Sequence, residues 1–546
     1  MGIDRTRMRW NGWGWAAHKD DIALRAGFWT WLASELGMPA LLATPARPFE
    51  ELTLPAGRLE EADRMALGAI VGEENVCETP FERVFHALGR SYRDLLLVRA
   101  GDLSTAPDAA VYPRSTGEVL AVLALAAKRN IAVVPFGGGT SAAGGVSALR
   151  GPFETAITLD MSAMNRLIDI DPFSHTATAE AGIGGPALEK ALRARGYTLG
   201  RLPDTFEFST LGGWIAHGGA AEWLVSVKLA TPRGLMSTGE FPSSEAGPQL
   251  RTIAAGSEGI FGVITEAAVR IHKLPHVTEA RAWLFRDFAS GTAAIRAAAQ
   301  EGIACATLHL SDGDETRFVR ACDTAGKPAG PLQWLGKRYL ELRGYDGSPC
   351  LLIAEFEGEE RAAASERKRF AALARKYRAL PYWRSAAEQW QKTRFREPYL
   401  RDTLLDRGVG IDIFETAASW AKIDALHAAV RTVLETAIGE TVPREDARGI
   451  VMSRLTYASP QGASLRFTAV FPRKLEGDLE QWSRIKNAAT AAIVSHGGTL
   501  SHHLGVGRDN LPWIKQEKGQ LGLDALRAIK AALDPAGVMN PGKLIP

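Results

Sequence analysis

The sequence predicts an α+β protein, on three observations. A helix capped at Ser115 and ending at Asn130 feeds an apolar run, Ile131 to Phe136, that closes on Gly137-Gly138-Gly139-Thr140-Ser141. Short alternating runs follow at 156–159, 167–170 and 176–179, the period of half-buried strands. Two further glycine and hydroxyl clusters occur, at 203–214 and 256–265. The order helix, strand, glycine loop is not the strand, G-x-G-x-x-G, helix of a Rossmann site, because Thr140, Ser141 and Ala142 follow the three glycines. There is no Walker A sequence either. A nicotinamide Rossmann domain and a P-loop kinase are both disfavoured.

Residues 1–100 read as mostly helical and loop-rich. They include three indoles in one short segment, Trp10, Trp13 and Trp15. Such a segment docks a terminus onto a core more often than it stacks on a ligand. Ser115 with Glu118 three residues on is a capping box. The apolar run 131–136 is a buried strand. Its terminal glycines allow a sharp turn and close backbone approach to a ligand, since no Cβ intervenes. Taken alone, the stretch is either an ordinary glycine-rich turn or a nest whose freed N–H groups, with the Thr140 and Ser141 hydroxyls, cradle an anion such as a pyrophosphate. Pro203 to Trp214 and Gly256 to Thr265 repeat that logic. Together the three clusters would wrap an extended phosphate-bearing ligand of dinucleotide size. From Val277 to about 500, strand and helix signals alternate without a phosphate-binding cluster. Leu351 to Phe356 reads as a strand. Glu359 to Leu380 reads as a charged helix with a solvated face rather than a membrane or acidic-partner surface.

Composition narrows the class. Of 546 residues, 46% are hydrophobic and 23% charged, enough for a sizeable core. Lys and Arg number 64 against 62 Asp and Glu, a net charge of +2, so nucleic acid is not an expected partner. Cys77, Cys305, Cys322 and Cys350 form no C-x-x-C pair, so neither a metal site nor a disulfide framework is expected, and a reducing compartment is the default. No run reaches the ~18 apolar residues of a membrane span. Residues 1–6 lack the apolar region of a signal peptide, and their loose match to a myristoylation pattern reads as chance. No peroxisomal S-K-L ends the chain. A cytoplasmic location is expected.

With the clusters in view, the chain resembles the vanillyl-alcohol oxidase and p-cresol methylhydroxylase superfamily, and within it the alkylglycerone-phosphate (alkyldihydroxyacetone-phosphate) synthase family. The matching stretches run in order along almost the whole chain: Trp10 to Gly14, Gly101 to Asp108, Pro135 to Ser141, Glu207 to Trp214, Thr231 to Gly234, Gly256 to Gly259, Phe414 to Thr416 and Leu500 to His503. The resemblance implies a two-part FAD-binding domain at 101–275, an antiparallel-sheet cap or substrate domain at 276–500, and a tail, 501–546, that returns to the flavin domain behind the helical segment 1–100. It assigns Pro135, Phe136, Gly137, Gly138, Gly139, Thr140 and Ser141 to the FAD pyrophosphate. Asp204, Thr205, Phe206, Glu207, Phe208, Ser209, Thr210, Gly212 and Gly213, with Glu258, Gly259 and Ile264, line the rest. No His or Cys stands in the first loop, so FAD is expected to be non-covalent. The tail 534–543 looks like the closing segment of FAD-linked 2-hydroxy-acid dehydrogenases.

The family reaction exchanges the fatty acid of acyl-dihydroxyacetone phosphate for a fatty alcohol through flavin N5, with no net redox change. It uses an Arg, a Tyr and three consecutive histidines, so a small-molecule or lipid-like substrate, peripheral membrane contact and a homodimer are implied. This sequence departs at four places. The Arg falls on His309, the Tyr on Ser459 with Tyr457 nearby, and the third histidine on Leu504. The flavin-lining loop between Trp214 and Val225 is shorter, leaving His217, Gly218, Gly219, Ala220 and Ala221. A histidine cannot form Arg's bidentate phosphate fork. Arg394 and Arg396 are alternative substrate cations, and His502 and His503 are the remaining proton-handling candidates, with no metal expected. The expectation is therefore a synthase-like flavoenzyme. The alternatives are an FAD-linked oxidase or dehydrogenase of a small 2-hydroxy acid, and a flavin-binding module without catalysis.

Overall fold

The computed structural model describes residues 5–18, 25–324, 331–345 and 348–546. The signal-peptide and myristoylation readings rest mainly on residues 1–4, outside the described residues. The chain divides into two compact units. One comprises the described residues of Met1–His18, Ala46–Leu274 and Ser501–Pro546, and the other those of Lys19–Pro45 and Pro275–Leu500. The N-terminal hundred residues are thus shared between the two.

In the first unit, a four-stranded sheet has the order β1-β2-β4-β3, with β1 Val76–Cys77, β2 Ala109–Val111, β3 Ile131–Phe136 and β4 Thr155–Asp160. β4 pairs in parallel with both β2 and β3. The helix Thr116–Arg129 enters β3. Ser115 Oγ accepts the Glu118 N–H at 3.2 Å, and the Glu118 carboxylate accepts the Arg114 N–H at 2.7 Å. Asn130, left-handed at φ 55°, ends the helix. The buried face of that helix, Val119, Val122, Leu123 and Ala126, packs on Val133, Ile157 and Leu159. Register places Asp160 beside Phe136, at the mouth of the first glycine loop.

A five-stranded antiparallel sheet has the order β5-β6-β10-β8-β9, with β5 Leu167–Asp171, β6 Thr176–Glu180, β8 Leu224–Thr231, β9 Gly234–Ser237 and β10 Val263–Arg270. β7 Tyr197–Thr198 and β11 His272–Lys273 form a small ladder. The second glycine cluster precedes the short helix Leu211–Ala216, and the third leads into β10. The C-terminal tail covers the open edge of β3. Val133 N–H donates to Val538 O at 2.8 Å, and Asn540 N–H donates to Val133 O at 2.9 Å.

The second unit is built on a seven-stranded antiparallel sheet of order β15-β12-β14-β13-β17-β18-β16. Its strands are β12 Val277–Phe285, β13 Thr307–Ser311, β14 Cys350–Gly358, β15 Leu380–Pro381, β16 Val409–Ser419, β17 Ile450–Thr456 and β18 Gly462–Pro472. Phe28 and Leu32 of the helix Ala26–Glu35, and Leu36 that caps its end, complete one of its cores with Phe318, Leu404, Val409 and Val470. The charged helix runs over Glu360–Lys376. It buries Phe370 and Leu373, while Arg369 pairs with Glu366 on its outer face, as a solvated helix should. It stops short of Leu380 because Arg378 takes a left-handed φ of 59° and Leu380–Pro381 joins the sheet edge. The α+β class and the antiparallel cap sheet match expectation.

Candidate cofactor and active site

The three glycine clusters converge on one cavity in the first unit. Its wall takes Pro135, Phe136 and Gly137 from the first cluster, Thr210, Gly212 and Gly213 from the second, and Ser257, Glu258, Gly259 and Ile264 from the third. Val146, Met161, Ala181 and Val263 supply an apolar floor. Six of the eighteen lining residues are glycine, so much of the wall is bare backbone, which suits a flat ring system and an anionic linker. The glycines are sterically required. A Cβ on Gly137 would stand 2.3 Å from Thr210 Oγ1, and one on Gly138 would stand 1.9 Å from Phe208 O. The first and second loops therefore touch backbone to backbone. The donor set fits FAD, and the residues that would hold it are those of the wall.

Several predicted residues stand behind that wall rather than in it. Gly138, Gly139, Thr140 and Ser141 are not part of it. Ser141 Oγ accepts the Gly145 N–H at 2.8 Å and so shapes the loop. Of Asp204 to Ser209, none lines the cavity. Thr205 Oγ1 and Ser209 Oγ bond each other at 2.8 Å, and Phe206 crowds Gly185. Glu207 accepts Trp15 Nε1–H at 2.9 Å, and Phe208 lies against Trp13. Two of the three N-terminal indoles thus dock on the second cluster, and Trp10 packs edge-on against Phe49.

Residue chemistry alone did not point to a buried ionic chain under the first loop. Arg5 pairs with Asp160 at 3.0 Å, also donates to the Gly137 carbonyl, and lies 5.6 Å from the ring centres of Phe85 and Phe136. His86 Nε2 meets Asp160 at 2.9 Å, and Tyr112 donates to Glu82, the neighbour of His86 Nδ1, at 2.5 Å. Burial opposes the Asp160 charge, but Arg5 and His86 outweigh it and hold the carboxyl well below the usual range. Burial, then Asp160 and Glu82, push the Tyr112 phenol well up. The only sequence signal was a charged residue at the end of a buried parallel strand.

Glu258 lines the cavity, but its carboxylate points to the tail. Its oxygens accept the Val506 and Gly507 N–H groups at 2.6 and 2.7 Å. Burial raises its pKa to about 7 against those donors and the nearby Lys543. Its own backbone is left-handed, φ 49°. Asn540 Nδ2 donates to Gly145 O at 3.0 Å and to Glu258 O at 2.6 Å, while Lys543 Nζ donates to Ser147 O at 2.9 Å. Tail and glycine loops are therefore stitched together.

His502 and His503, also in this unit, stand ring against ring with Nδ1 to Nδ1 at 2.7 Å. One ring donates and the other accepts, so a single proton lies between them. His503 Cδ2 would stand 3.5 Å from a Cβ on Gly219, which places it against the short loop after Trp214.

The other candidates lie in the second unit. His309 is buried on β13, edge-on to Trp390 at 5.3 Å. Burial, then Arg454 and Arg466, drive its pKa well below the ordinary value, so its ring is neutral. Those arginines pair with Glu315 and Glu397. Arg394 pairs with Glu355 at 3.2 Å and lies over Trp390 and Phe395. Arg396 precedes the helix Glu397–Leu405. Ser459 closes the β17–β18 turn, its hydroxyl accepting the Gln461 and Gly462 N–H groups. Tyr457 is 37% exposed, with φ 48°.

Residues 107–238 match the FAD binding domain, and residues 274–544 match the C-terminal domain of FAD linked oxidases. The cavity and these matches define an FAD-dependent enzyme. An alkyldihydroxyacetonephosphate synthase of Trypanosoma brucei brucei is 32% identical over 496 residues, 88% of this chain and 80% of that protein. A solved alkyldihydroxyacetonephosphate synthase structure superposes with a TM-score of 0.84 at 27% identity, over 99% of this chain and all of the other. The chain belongs to the alkyldihydroxyacetonephosphate synthase family. A solved p-cresol methylhydroxylase shares the fold, with a TM-score of 0.66 at 15% identity over 90% of this chain and 98% of its own.

Proposed function

We propose that the chain carries out its family's reaction, exchange of an acyl for an alkyl group on dihydroxyacetone phosphate. The observation that carries this reading is the 32% identity to a synthase, sustained over 88% of the chain, together with the glycine-walled cavity. Bound FAD supplies the covalent chemistry, which is neutral in electrons overall. Pro135 to Gly137, Thr210 to Gly213 and Glu258 to Ile264 hold and orient it. Asp160 and Arg5 fix the first loop from below. His502 and His503, sharing one proton, take the proton of the incoming hydroxyl and return one as the carboxylate departs. The test is anaerobic incubation of purified holoenzyme with acyl-dihydroxyacetone phosphate and a fatty alcohol. Alkyl product and equimolar fatty acid, with the visible flavin band retained, are expected. No product from the wild-type holoenzyme overturns the reading.

One observation favours a second reading. His309 is neutral, and its two arginine neighbours already face Glu315 and Glu397, so that position offers no free cation for a phosphate. Oxidation of a small 2-hydroxy acid would need no phosphate partner there. Bleaching of the flavin band by such an acid, without acyl exchange, decides for it.

We further infer that FAD is non-covalent, which acid precipitation tests by leaving the flavin in the supernatant. A division at about 100, 275 and 500 separates helical, flavin, cap and tail segments. The described residues contain no helix long and apolar enough to cross a membrane, and they hold no disulfide. We propose a cytoplasmic homodimer in peripheral membrane contact, as the family resemblance implies. Light scattering and vesicle flotation test those two properties.

A further inference from the structure

The loop that the family resemblance marks as short carries a histidine whose ring has no hydrogen-bond partner among the described residues. His217 caps the helix Leu211–Ala216, with its N–H donating to Gly213 O at 3.2 Å, and its ring joins the cavity wall. The two residues before it are fixed by the third cluster. Glu258 N–H donates to Ala216 O at 2.9 Å, and Gly256 N–H donates to Ile215 O at 3.0 Å. The ring lies over Gly145, where a Cβ would come within 3.5 Å of Cε1. Trp214 and Trp223 meet edge-on at 5.1 Å across the base of the loop.

Nδ1 of His217 is buried and bonds no described residue. Among the described residues Nε2 has no hydrogen-bond partner either, but unlike Nδ1 it is not fully buried. Burial alone lowers the pKa of the ring to about 4, so it is a neutral imidazole with one donor and one acceptor. Among the polar side-chain atoms of the described cavity wall, His217 Nδ1 is the only one that is both buried and unpartnered. Buried polar atoms without a partner are rare, and each asks for an explanation. Here the ring borders the space that fits FAD.

We propose that His217 is a positioning residue for the flavin, its ring hydrogen-bonding the bound cofactor from the wall of the cavity. The proposal stands on the FAD reading of that cavity. The shortened loop permits it, because Gly218 (φ 83°) turns the chain away directly after the ring and keeps Gly219 close against Trp214.

The test measures FAD affinity of the apoprotein by fluorescence, the flavin absorption spectrum, the midpoint potential, and the melting temperature of the apoprotein. The variants are His217→Ala and His217→Gln, the latter carrying an amide to the position of Nε2. Expected are about tenfold weaker FAD binding and a shifted spectrum and potential in His217→Ala, at least partial recovery of all three in His217→Gln, and an apoprotein melting point that does not fall in either. Wild-type affinity, spectrum and potential in both variants overturn the proposal. So does a loss of affinity in both variants that follows a fall in apoprotein melting point. Wild-type protein that takes up no FAD overturns instead the cofactor reading beneath it.

Discussion

At the scale of single residues, two buried carboxylates near the cavity behave in opposite ways. Asp160 is held ionised by Arg5 and His86, so its pKa is depressed on folding. Its contribution to stability is present above the unfolded value of about 4 and is lost as pH falls through the folded pKa. Asp160→Asn leaves Arg5 buried without its charge partner, and a loss of about 3–5 kcal/mol is expected in denaturant titrations at neutral pH. FAD uptake should weaken with it, because Arg5 also holds the Gly137 carbonyl. Glu258 has its pKa raised to about 7. A carboxyl that binds its proton more tightly when folded makes stability fall as pH climbs from about 4 to about 7. Glu258→Gln should remove that slope. It should also cost about 1–3 kcal/mol, since an amide NH₂ then faces the Val506 or Gly507 N–H. Melts across that pH range check both statements.

At the scale of elements, the cavity is held from both ends of the chain. The segment before Trp15 reaches the first and second clusters through Arg5 and the indoles, and Arg90 ties it to the first loop by donating Nε–H to Gly12 O at 2.7 Å and its backbone N–H to Ser141 O at 2.9 Å. The tail pairs with the edge of β3 and reaches the third cluster through Asn540. Asn540→Ala strips donors from two buried carbonyls, Gly145 O and Glu258 O. A loss of about 2–3 kcal/mol and slower FAD reconstitution are expected, measured by thermal melts and fluorescence. These element-level supports explain why glycine loops so poor in side chains hold one shape.

At the scale of the whole molecule, each unit has its own core. Two-state unfolding is then not expected for the intact chain. Calorimetry should resolve two transitions. Only one should move upward with added FAD, since a ligand stabilises the unit that binds it. Coincident transitions that shift together would contradict this.

Much of the fold was legible because its causes are local. The cap at Ser115, the left-handed stop at Asn130 and the strand to Phe136 depend on neighbouring residues alone. The convergence of three glycine clusters was legible too, since only glycine permits backbones to approach so closely. The site was less so. Thr205 and Ser209 satisfy each other, Ser141 shapes a turn, and Glu258 turns its charge to the tail, roles that depend on partners up to 249 residues away. What the sequence by itself determined is the class of protein, the cofactor loops and the helix and strand order. Only the tertiary structure decided that Asp160 is clamped by Arg5 and His86, that His309 is neutral, and that His217 stands in the cavity wall with no hydrogen-bond partner for its ring among the described residues. Burial and charge pairing set a side chain's protonation, and both are properties of the assembled unit rather than of any stretch of chain.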